Sequence, residues 1–104
     1  MTKLSSSIIL AATLVFAAST FAREIGHNEV RELRRKGELL AFEHIILVLF
    51  ERHPESQVIE VELELKEARG VFVYEIEILT TENQIREVEI DARTGEVLGD
   101  KLED

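Results

Sequence analysis

Metal binding and general-base chemistry both begin with imidazole, and the chain carries three histidines, His27, His44 and His53. Glu43-His44 and Arg52-His53 stand nine residues apart, which is not the i, i+4 spacing that sets two imidazoles on one helical face, and there is no cysteine. A zinc-type ligand set is therefore not assembled by the sequence. A hydroxyl nucleophile would need a base beside it. Ser56, Thr80, Thr81 and Thr94 all fall in predicted turns, and turn formation accounts for each of them. The expectation is a protein without catalysis and without a cofactor.

Carboxylates are the remaining chemistry. Glu60, Glu62, Glu64, Glu75, Glu77, Glu87 and Glu89 recur at alternate positions of three predicted strands, so a period of two places them on one outward face. Like charges on adjacent strands oppose pairing by roughly a few tenths of a kcal/mol per pair, and crowding is expected to raise the carboxyl pKa values. One reading is a solvated face that blocks edge-to-edge aggregation. The other is a docking surface for a basic partner, or weak Ca²⁺ binding, weak because flat strands lack a converging loop. Arg31, Arg34, Arg35 and Lys36 form an opposing basic group. It is either a solvated helix end or a contact for anionic lipid or for the acidic sheet of a second copy in a homodimer.

The chain has 104 residues, with 12 Lys and Arg against 21 Asp and Glu, for a net charge of −9. Residues 1–22 read as a signal peptide: Lys3 gives a positive start, Ile8 to Ala18 is an apolar run broken by Thr13, and Ser19-Thr20-Phe21-Ala22 supplies small residues before a cleavage point after Ala22. The apolar run is shorter than the ~20 residues a membrane span needs, so no span is expected after cleavage. Loss of Lys3 makes the mature chain one charge more negative still. Such a balance argues against nucleic acid, whose phosphates it would repel, and favours cationic partners or simple solubility. What remains is one small domain, periplasmic or secreted, and without disulfides it must be held by packing alone.

The elements that position the glutamates follow from hydropathy. A short helix in the 23–37 extension is expected from an Asn28 N-cap, with Glu29 and Glu32 in its first turn and its stop at Gly37. A second helix is expected from Leu39 to Arg52, ended by Pro54. Leu39, Phe42, Ile45, Ile46, Leu49 and Phe50 share its sheet-facing arc. Leu40, Leu47 and Val48 lie off it, so Leu47 and Val48 are either covered by the first helix or an interface. The first strand points Ile59, Val61, Leu63 and Leu65 inward. Glu67 to Gly70 is a hairpin loop. The second strand, Val71 to Leu79, points Phe72, Tyr74, Ile76 and Ile78 inward. The third, Ile85 to Asp91, buries Val88 and Ile90, with a bulge or an outward Ile85 near Arg86. Thr94-Gly95 turns into a short edge, Glu96-Val97-Leu98, before a frayed tail. The fold class is α+β, with N-terminal helices on one face of an antiparallel meander of three or four strands.

Val73-Tyr74-Glu75-Ile76, followed by Asp91-Ala92-Arg93-Thr94-Gly95-Glu96-Val97, resembles the PepSY domain family. Gly37-Glu38-Leu39-Leu40-Ala41-Phe42-Glu43 resembles the lead-in of its short exported members, with Ala41 where these often carry Pro and a correspondingly earlier helix start. The resemblance covers roughly Glu38 to Leu98, within a domain expected over 38–104. It implies a non-enzymatic protein-binding module, a peptidase inhibitor or modulator, or else an envelope accessory acting with a sensor kinase. It carries no catalytic residues. A structural or cation-binding acidic envelope protein is the other class left open.

Overall fold

The computed structural model describes residues 22–103. Along the chain come β1 (Ala22–Glu24), α1 (His27–Arg35), α2 (Phe42–Arg52), β2 (Gln57–Lys66), β3 (Val71–Leu79), β4 (Ile85–Asp91) and β5 (Val97–Leu102). The strands pair antiparallel in sequence order, a five-stranded meander. The α+β class is as expected, and the five strands exceed the expected three or four. Among the described residues no helix is long and apolar enough to cross a membrane. The expected signal peptide lies outside the described residues except for Ala22, the first residue of β1, so cleavage after it leaves Arg23, Glu24 and Ile25 to keep the pairing with β2.

One face of the sheet carries the core. Ile76, Ile78, Val88 and Ile90 are fully buried there beneath Ile45 and Leu49 of α2, with Leu39, Leu63, Tyr74 and Ala92 around them. Phe42 and Ile46 complete the sheet-facing arc as half-buried residues, whereas Phe50 is exposed. Val48 also packs against the core at its margin, and Leu47 is 64% exposed, uncovered by α1. α1 buries no residue completely, and docks through half-buried Val30 and Leu33 and through Arg34, whose Nη2 donates to Tyr74 Oη at 3.0 Å.

Both helices begin elsewhere than the sequence suggests, because the sheet holds their lead-ins. Ile25 N–H donates to Leu63 O at 2.8 Å, so the chain turns at once and Gly26, not Asn28, is the N-cap of α1. Gly37 does stop it: at φ 74° it lets Glu38 N–H reach Leu33 O and its own N–H reach Arg34 O, a Schellman closure. α2 starts at Phe42 rather than Leu39, since Leu40 N–H is held by Ala92 O at 2.9 Å and Ala41 is extended, at φ −59° and ψ 141°. That φ is the one a proline ring would impose, and the extended ψ keeps alanine here from advancing the helix.

The Asp91-to-Val97 segment forms the support under α2. Asp91 Oδ1 accepts the Arg93 and Thr94 N–H groups, and Gly95, at φ 79°, would bring a Cβ to 3.5 Å from Leu40 and 3.6 Å from His44. Strand phase differs from expectation at Ile59, where a bulge between Val58 and Glu60 returns Val58 to the core side and leaves Ile59 49% exposed. Ile85 points outward, as one of the two expected alternatives had it, and β3 and β4 pair without a shift.

The tail does not fray. Leu98 to Leu102 continues β5, and Asp100, on the core face opposite Val88, joins three elements: its carboxylate accepts from Arg86 Nε at 2.8 Å and Arg52 Nε at 2.6 Å, and lies 2.7 Å from His53 Nε2. Burial would raise this carboxyl, but the hydrogen bonds from Arg86, Arg52 and His53 hold it at about 2. Asp100→Ala is expected to lower stability by about 2 kcal/mol by removing the carboxylate acceptor of half-buried Arg86, which keeps only its bond to the Asp100 backbone carbonyl. Urea denaturation at pH 7 measures it. Because the folded-state value is depressed, the contribution is present above the ordinary carboxyl range and disappears as pH falls towards 2.

Candidate functional site

Strand register decides what the glutamates become. Glu60 pairs with Glu77, and Glu77 with Glu87, which pairs in turn with Lys101. One rung along, Glu62 pairs with Glu75, Glu75 with Glu89, and Glu89 with Gly99. All seven expected carboxylates therefore share the outward face: six form two rows across β2, β3 and β4, and Glu64 stands on the next rung opposite Val73. Glu24 extends the array by pairing with Glu64 on β1. This residue was not singled out in the sequence, because a three-residue strand leaves no periodic signal.

Lys66 stands inside the array, and Lys101 flanks it beside Glu87. Lys66 Nζ lies 3.0 Å from Glu75, 3.1 Å from Glu64 and 3.8 Å from Glu89. Val73, on the rung between Lys66 and Glu75, is completely buried although it faces away from the core. Carboxylate oxygens of Glu62, Glu64 and Glu75 all lie within 4.8 Å of one another, so these three could in principle hold a cation. The lysine ammonium already sits against two of them.

Proton affinities across the face diverge rather than rising together. Glu62 is raised by burial and then by the charges of Glu60, Glu24 and Glu75. Glu64 is raised by burial and by its hydrogen bond with Glu75, against the pull of Lys66. Burial also acts to raise Glu75, yet hydrogen bonds from Glu64, Lys66 and Glu87 overcome it and set this carboxyl below its ordinary value. Glu87 is pushed up to about 7, first by burial, then by its hydrogen bond with Glu103 and by the charges of Glu75 and Glu103. Uniform elevation, the expectation from crowding, is thus corrected: Glu75 is the anion of the group, and its neighbours share protons with it.

A second feature lies on the core side, where β1 ends. A groove of about 290 Å³ opens between α1, the start of α2 and the β2 edge, floored by Phe42, Val61, Leu63 and Tyr74. The Phe42 and Tyr74 rings meet at 5.4 Å with a 58° tilt, and Val61 is 37% exposed. Glu24, Glu62, His27 and Arg34 border the opening. The sequence concealed this groove, since Val61 and Phe42 read as ordinary core positions.

The catalytic candidates are dispersed. His27 borders the groove, His44 is exposed on α2 beside Gly95, and His53 belongs to the Asp100 junction. His53 and Asp100 invite comparison with an acid–base relay, but Ser56 Oγ is buried without a hydrogen-bond partner, so it is not engaged with the imidazole. Thr80 and Thr94 are turn residues: Thr80 Oγ1 accepts from Gln84 N–H, and Thr94 Oγ1 from Glu96 N–H. Arg35 pairs with Glu32 on α1 itself.

The raised Glu87 gives a pH dependence of definite sign. A folded-state value of about 7 against an ordinary 4.5 means that its contribution is fully present below the unfolded value and is lost as pH rises through 7. Melting temperature is therefore expected to be higher at pH 5.5 than at pH 8. Glu87→Gln should remove most of the difference, about 1–2 kcal/mol after allowance for solvent screening. Equal pH slopes in the two proteins would exclude Glu87 as the source.

Comparison with protein families adds one result. The model described as peptidase propeptide and YPEB domain, PepSY, matches residues 40–101. Comparison with curated proteins and with solved structures gives no match. The matched stretch runs from the Leu40 that bonds to Ala92, through α2 and the four long strands, to Lys101, and leaves β1 and α1 outside it. Spanning more than half of the sequence, and coinciding with the core and with the acidic rows, it shows that the chain belongs to the PepSY family.

Proposed function

We propose that this protein is an exported, non-enzymatic binding module whose acidic outer face receives a basic surface of a protein partner, a peptidase or an envelope sensor. The observation that carries the reading is the pair of glutamate rows, Glu60–Glu77–Glu87 and Glu62–Glu75–Glu89, set in register across three strands. Each like-charge pair opposes folding by roughly a few tenths of a kcal/mol, so aligning them on a solvated sheet costs stability. A basic partner gains complementarity, faster encounter and relief of the repulsion. Membership of a family described by peptidase propeptides makes a peptidase the first partner to try. Export and a periplasmic or secreted location rest on the N-terminal sequence pattern. Leu47, exposed on α2, is available as a contact for a partner or a second copy.

The test is isolation of partners from envelope extract on the mature chain, followed by calorimetry on the purified partner. Simultaneous Glu60→Gln, Glu77→Gln and Glu87→Gln is expected to weaken binding at least tenfold, as is raising the salt concentration. Unchanged affinity in both arms would dispose of the acidic face as the docking surface.

Weak Ca²⁺ binding is a second reading, supported by the convergence of Glu62, Glu64 and Glu75. Ca²⁺ would compete there with the Lys66 ammonium, so millimolar Ca²⁺ should raise the melting temperature of Lys66→Met by more than that of the wild type. Indifference of both proteins to Ca²⁺ removes the reading.

A further inference from the structure

The geometry points to a peptide site at the junction of the groove and the free edge of β2, taking an extended segment of a partner in which apolar and basic side chains alternate. This rests on the binding-module reading above and names the form of the partner's contact.

Three observations converge on it. β1 pairs with β2 only from Lys66 to Glu64, and the last link is Ile25 N–H to Leu63 O; the chain then leaves the sheet at Gly26. Among the described residues nothing pairs with β2 on that side between Gln57 and Glu62. Backbone groups alternate along a strand, so the N–H and C=O of Val61 point outward from the edge as the C=O of Leu63 does. An incoming strand would occupy the line that β1 abandons. The bulge between Val58 and Glu60 ends the flat edge, which keeps the accepting stretch short and the binding weak.

Side-chain alternation then dictates the ligand. A strand paired with Val61 sends one set of side chains to the core side, into the groove over Phe42, Val61 and Tyr74. The other set goes to the outer side, over Glu60, Glu62 and Glu24. The first must be apolar to displace water from that floor, and the second must be basic to meet the carboxylates. A second copy of this chain does not satisfy the pattern, because edge-to-edge pairing would lay Glu60 and Glu62 against their own counterparts. Strand addition of this kind draws affinity from the main chain and specificity from alternate side chains.

The probe is a synthetic peptide of alternating lysine and valine, titrated into the mature chain by NMR. Three controls accompany it: a peptide of the same composition in block order, one N-methylated at alternate residues, and the Val61→Pro variant, which removes the outward N–H. Expected are shift changes at Ile25, Phe42 and Tyr74, slowed exchange of the Val61 amide, and at least tenfold weaker binding for both altered peptides. Val61→Pro should match the N-methylated peptide in its effect. If that variant does not fold, the N-methylated peptide alone decides the role of the edge. Equal binding of all three peptides, with loss only in Glu60→Gln, Glu77→Gln and Glu87→Gln, would overturn the edge site and leave the acidic docking face standing. Absence of any binding, including at low salt, would overturn both. Slowed Val61 exchange that depends on protein concentration without peptide would assign the edge to a second copy and also overturn the inference.

Discussion

Register between β2, β3 and β4 is the constraint on which both faces of this sheet depend. Pairing Leu63 with Tyr74 and Tyr74 with Ile90 aligns the side chains of the core. The same step aligns Glu62 with Glu75 and Glu89 on the reverse. Because the side-chain period is two, a slip of one residue in any of these strands would turn glutamates into the core and isoleucines into water. The burial of Ile76, Ile78, Val88 and Ile90 thus enforces the carboxylate rows. Apolar packing supplies the stability against which the repulsion stands, in a chain that has no cysteine.

Two cationic insertions moderate the opposing charge, one on each side. On the outer face Lys66 reaches Glu64, Glu75 and Glu89, and after the hydrogen bond from Glu64 it makes Glu75 the favoured anion. On the core side Arg86, with Arg52 and His53 from the end of α2, converges on Asp100 of β5. The second arrangement fixes the last helical turn to the last strand, closing the layer opposite the end that Ala92 and Gly95 support. Neither insertion extends to Glu60 and Glu62 at the free edge of β2, so negative charge there is left for a partner to meet.

Much of this was legible because it is periodic. Alternating glutamates from Glu60 to Glu64 and from Glu75 to Glu77 announced both the strands and their outward face, and Gly37, Gly70 and Gly95 marked breaks where positive φ is in fact used. What failed to show is local or non-periodic. Ile59 looked like one more inward residue, and only the bulge beside it, invisible in hydropathy, exposes it. β1 has three residues at the apparent boundary of a leader, and Gly99-Asp100-Lys101 reads as a polar tail although each residue has a partner on β4. Asp100 gave no signal, since its three side-chain partners come from positions 14, 47 and 48 residues away. The groove arises from an absence of pairing beyond Glu24, which no composition records.

The central claim is that the glutamates behave as one interacting array and not as independent solvated side chains. Site-resolved titration of the glutamate side-chain carboxyl carbons by NMR tests it most directly. The account predicts a Glu87 midpoint near 7, Glu62 and Glu64 above the ordinary carboxyl value and Glu75 below it. Titration of all four together at the ordinary value would contradict it.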